Sequence, residues 1–152
     1  MIESIMSTKE DDEREDQAYH RAATNMRRAR YLNWSLDESI IPKDNASPLF
    51  KFITLNEAGF LVAKEFFYCK ISDIYEYYQR DGDSLGVYVN YIAAQMKTKE
   101  ELEELQSFIT KSSRYFKEPD LVINQITETI TKNIEWTAKF YNKIVGTKLM
   151  ML

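Results

Sequence analysis

The chain has a single cysteine, Cys69, and a single histidine, His20, among 152 residues. One thiol can form neither an internal disulfide nor a thiolate zinc cluster. One imidazole cannot supply an H-E-x-x-H site and leaves little room for triad chemistry. There is no glycine-rich phosphate loop and no G-x-S-x-G elbow. On these residues the chain is not an enzyme, and no catalytic residue, metal ligand or cofactor site is expected. Glycine and proline are also scarce, at four and three. So little punctuation favours long helices over strands joined by tight turns. No segment alternates at period two, so no strand is expected. No apolar run approaches the ~20 residues that span a bilayer. The opening MIESIMSTKEDDERED lacks the basic start and apolar core of a signal peptide. Taken as complete, the chain would be cytoplasmic. The net charge of −4 offers no basic excess, which argues against a nucleic-acid partner.

What is present is helical periodicity. Apolar residues make up 44% of the chain, ordinary for a folded domain. After an apolar fragment, Met1 to Met6, comes an acidic run from Glu10 to Asp16, then Arg21, Arg27, Arg28 and Arg30. Acid early and base late suits a solvated helix and its dipole. Nucleic-acid binding through the arginines is the alternative. This helix should end around Trp34 to Leu36. Ile40-Ile41-Pro42 then makes a connector, with Ser47 capping a helix that has Pro48 at its first position. Gly59 breaks the pattern. Ala63, Phe67, Ile71, Ile74 and Tyr78 form an apolar stripe, Arg80 to Asp83 a turn, and Leu85, Val89, Ile92 and Met96 a second stripe. Thr98 three residues before Glu101 has the spacing of a capping box. Pro119 suits the first turn of a closing helix, in which Ile126, Ile130 and Ile134 recur on one face.

Six or seven helices with short connections therefore make an all-α fold. The expectation is antiparallel helix pairs in a HEAT/armadillo-like right-handed superhelix, with a compact helical bundle as the alternative.

Three groups invite a chemical reading. Glu100, Glu101, Glu103 and Glu104 read as a solvated helix face rather than a carboxylate site. Cys69 lies on or beside an apolar stripe and reads as a buried small hydrophobe, a reactive thiolate being the alternative. Tyr68, Tyr75, Tyr77, Tyr78, Tyr88 and Tyr91 should mostly pack, with a minority available to line a peptide groove.

Four segments resemble, in order, the C-terminal helical domain of M1-family zinc aminopeptidases, in its endoplasmic-reticulum-aminopeptidase-like form. RYLNWSLDESIIPKDN (Arg30 to Asn45) is similar to the family's R-Y-L-x-W-S-L-D segment. NEAGFLVAKEFF resembles its N-P-x-G-x-x-x-A-W-x-F helix at Asn56, Gly59, Ala63 and Phe66. TKEELEELQSF resembles its S-T-x-x-x-L-x-E-L-x-x-F segment. ITETITKNIEWTAKFYNKI is similar to its closing helix, with Asn133, Ile134 and Trp136 in register. The family's tryptophan positions in the second segment hold Lys64 and Ile71 here, and its asparagine is Lys70.

The resemblance implies a non-catalytic bowl of HEAT-like helix pairs. Such a domain encloses the peptide cavity and regulates substrate access, while the zinc motif and G-A-M-E-N loop lie in other domains. It implies that residues 31–152 form the family-like domain and residues 1–30 an atypical helical extension or cap. Expected partners are a peptide or an aminopeptidase catalytic domain, or a second copy paired through an exposed apolar end. A stand-alone helical-repeat scaffold for a protein partner is the alternative function. No position matches a family functional motif closely enough to name a peptide-binding residue.

Overall fold

The computed structural model describes the backbone of residues 2–150 and the side chains of residues 8–147. Its elements are α1 (Ile2–Trp34), α2 (Lys43–Thr54), α3 (Glu57–Tyr77), α4 (Gly82–Gln95), α5 (Lys99–Lys111), a 3-10 turn (Ser113–Tyr115) and α6 (Pro119–Met150). The all-α expectation holds, and no strand occurs among the described residues. The side chains of the Met1 to Met6 fragment lie outside the described residues.

The helices form where the stripes demanded. Leu85, Val89 and Ile92 of α4 and Met96 at its C-terminal cap are fully buried, as are Ala63, Phe67 and Ile74 along α3. Ile126 and Ile130 of α6 are fully buried too, and Ile134 packs half-buried against the same core. At the centre, the Tyr88 ring lies 4.7 Å from Phe50 and 5.8 Å from Phe67, the latter pair stacked at 14°. Such pairs add about 0.5–1.5 kcal/mol each beyond the area they bury. Helices pack both with their neighbour in sequence and with the next but one: α1 on α2 and α3, α2 on α3 and α4, α4 and α5 on α6.

Several local expectations need correction. Ser47 is not a cap and Pro48 is not at a first position, because α2 starts at Lys43 and carries Pro48 inside it. Pro42 occupies the N-cap with φ −52° and ψ 139°, so the connector's own proline sets the helix start, without a side-chain cap. Gly59 does not break a helix but sits in the first turn of α3, where Asn56 Oδ1 accepts from its amide at 2.7 Å. It is glycine for space: a Cβ there would run into the carbonyl oxygen of Ile53, where α2 ends against α3. The turn after α3 falls earlier than Arg80 to Asp83, since Gly82 already belongs to α4. Gln79 and Arg80 make the reversal in left-handed conformation, with φ of 57° and 63°. Asp81 then caps α4, accepting from the Asp83 amide at 3.1 Å. Gly82 lets α4 approach the loop before α6, where a Cβ would stand 2.7 Å from the Lys117 nitrogen.

Candidate functional site

The motif residues that carry the family resemblance turn out to hold joints together. In RYLNWSLD, Leu32 is fully buried, and the Ser35 hydroxyl donates to the Leu32 carbonyl at 2.5 Å, closing the end of α1. Asp37 follows, its carboxylate accepting from the amide and hydroxyl of Ser39 at 2.9 and 2.6 Å. Those two bonds hold the Asp37 carboxyl below its usual range. Its carbonyl accepts from Ile40 and Ile41, both at 3.0 Å, and turns the chain toward α2. Asn133 donates from Nδ2 to the carbonyls of Met96 at 2.9 Å and Ala94 at 3.3 Å. These are carbonyls left unpaired where α4 stops, so one side chain ties α6 to that end. Trp136, in register with the family tryptophan, instead stands 64% exposed.

The positions that depart from the family pattern have local substitutes. Lys64 reaches Glu104 of α5 at 3.0 Å and lies over the Phe60 and Tyr68 rings. Ile71 is buried. Lys70 leaves helical geometry, with φ −110° and ψ 15°, and kinks α3.

The tyrosines pack rather than line one groove. Tyr88 is buried and shares a hydroxyl–hydroxyl bond of 3.0 Å with Tyr78. Burial pushes both phenols above the ordinary tyrosine range. Tyr68 stacks on Phe108 at 4.1 Å and donates to Glu104 at 3.2 Å. Burial first, then the Glu104 carboxylate, push its phenol up as well. Tyr75 borders a notch of about 300 Å³ with Arg80, Arg114 and Tyr115.

Cys69 corrects the sequence reading: it is exposed, because it falls on the outer side of α3 beside the stripe rather than in it. His20 lies on the exposed part of α1, its Nε2 3.5 Å from Asp16. Among the described residues no three His, Cys, Asp or Glu side chains group as a metal site. No helix among the described residues is long and apolar enough to cross a membrane.

One apolar concavity was not legible in advance. A groove of about 500 Å³ runs between α1 and the α2–α3 corner, lined by Thr24, Arg27, Arg28, Tyr31, Leu49, Phe52, Ile53, Leu55 and Asn56. Two guanidiniums and no carboxylate border it, so its polar rim favours an anionic group over an apolar floor. Arg28 is oriented by donating to Asn25 Oδ1 at 3.0 Å. The available signal was Phe52 and Leu55, which lie off the buried Ala46–Phe50–Ile53 stripe and stand 73% and 59% exposed.

Compared with known proteins, the chain matches the family model described as the ERAP1-like C-terminal domain over residues 2–132. No curated protein matches it. The match takes in the whole core, from α1 to the Asn133 joint's threshold, and leaves only the far part of α6 outside. The chain therefore belongs to the ERAP1-like C-terminal domain family, the non-catalytic C-terminal part of M1-type aminopeptidases.

Proposed function

We propose that this domain encloses the peptide cavity of an M1-type aminopeptidase and regulates substrate access, its partners being peptide and the catalytic domain. The observation that carries the reading is the groove between α1 and the α2–α3 corner, lined by Arg27 and Arg28 together with Phe52, Ile53 and Leu55. Such a groove suits an extended peptide that offers an apolar side chain beside a carboxylate. Next-but-one packing of helices supports a HEAT-like superhelix, in which residues 1–30 form the polar end of the array.

Fluorescence anisotropy with a labelled acidic, apolar-rich peptide tests the groove. Weak binding to the full chain is expected, falling roughly fivefold in Arg27→Glu/Phe52→Ser, as loss of a rim charge and an apolar contact implies. A lysine-rich peptide should bind less well. Equal affinity for the variant, or no binding of the acidic peptide, overturns the assignment. The second reading, a stand-alone scaffold for a protein partner, draws support from the exposed aromatic residues of distal α6.

A further inference from the structure

Beyond its last fully buried residue, Ile130, α6 continues for several turns in which every side chain from Glu135 to Ile144 is exposed. Trp136, Phe140 and Ile144 recur every four residues there and share one face, at 64%, 51% and 42% exposure. The Trp136 and Phe140 rings stack 5.1 Å apart at 7°. Lys139 and Lys143 stand three residues after Trp136 and Phe140, so they flank this stripe. A helix with such a face ordinarily buries it.

The near half of α1 is its counterpart. Residues 8–22 are all exposed, and six of the seven residues from Glu10 to Asp16 are acidic. Tyr19 and Met26, two turns apart, stand 74% and 68% exposed beyond the acidic run. Asp12 and Glu15 precede Tyr19 by seven and four residues and lie over the same face. Helical segments of this length are marginal in water without packing, and neither is covered by its own chain.

We propose that the Trp136–Phe140–Ile144 face of α6 docks on the acidic half of α1 in a second copy of this chain. Charge selects that occupant: Lys139 and Lys143 meet Asp12 and Glu15, whereas α6 on α6 or α1 on α1 would set like charges together. The apolar residues supply the buried area, and the ion pairs fix which helix meets which.

Sedimentation velocity on the full chain tests this in low salt and again at about 0.5 M salt, which screens exposed pairs. Self-association at micromolar concentration is expected, weaker in high salt. Asp12→Lys/Glu15→Lys and Lys139→Glu/Lys143→Glu should each weaken it about tenfold alone, yet associate with one another when mixed, because their reversed helices are again complementary. Trp136→Ser/Phe140→Ser should abolish it while the circular-dichroism unfolding midpoint, read at a dilution where the wild type is monomeric, stays unchanged, since these side chains lie outside the core. A wild-type monomer throughout overturns the proposal. So does association that survives either reversal, or reversed variants that fail to pair.

Discussion

Asn133 illustrates how a motif residue can hold a joint rather than carry chemistry. Its Nδ2 meets the Met96 carbonyl at 2.9 Å, and α4 ends there with Met96 fully buried. Asn133→Ala should lower stability by about 1 kcal/mol, because it removes the bonds that tie α6 to the Met96 and Ala94 carbonyls. Asn133→Asp should cost more, since a carboxylate cannot donate and would face the same carbonyls. Urea unfolding monitored by circular dichroism gives the comparison, and equal midpoints for all three chains would show the joint to be idle. The same residue scale explains what sequence could and could not reveal. That Asn133 matters was visible from its register, but not its partners 37 to 40 residues away. Cys69 was misplaced because a position beside a stripe differs from one inside it by a single helical step, and periodicity resolves that poorly.

At the scale of elements, α5 begins as its sequence says. The Thr98 hydroxyl accepts from the Glu101 amide at 3.2 Å. The Glu101 carboxylate answers by accepting from the Lys97 amide at 3.0 Å, one residue before the usual partner, and from the Thr98 hydroxyl at 3.1 Å. Thr98→Ala should therefore cost about 1 kcal/mol of stability, and Thr98→Ser little, read as a shift in the thermal midpoint. A Thr98→Ala protein that melts with the wild type would show that packing of Leu105 and Ile109 alone sets this helix. Of the side-chain caps, Thr98 was legible locally, whereas Asn56 and Asp81 were hidden behind a reading of Gly59 as a break and of Arg80 to Asp83 as a turn. The start of α2 was not. Pro42 and Pro48 both satisfy the first-turn rule in isolation, and the choice between them depends on Ala46 and Phe50 being fully buried against α3 and α4.

For the molecule as a whole, the buried tyrosines make stability depend on alkaline pH. Burial holds the Tyr88 phenol, and less strongly Tyr78, neutral well above the ordinary value of 10.0. Below pH ~10 both folded and unfolded chains keep these protons, so the full contribution is present. Above it the unfolded chain loses protons that the folded chain retains, and stability must fall as pH rises. Tyr88 alone contributes a slope of about 1.4 kcal/mol per pH unit. Tyr88→Phe should be less stable at neutral pH, having lost the bond to Tyr78, but should show a shallower decline between pH 10 and 11. Parallel curves for the two proteins would refute the burial argument. The sequence by itself determined the helical class and most helix positions, which rest on periodicity, scarce glycine and local capping, and the family, which rests on the four motif segments. Only the tertiary structure decided the groove between α1 and the α2–α3 corner, the Asn133 joint and the exposed aromatic stripe of α6. Each of these depends on which faces of distant helices meet, and that is fixed by competition for burial across the whole chain rather than by any local run of residues.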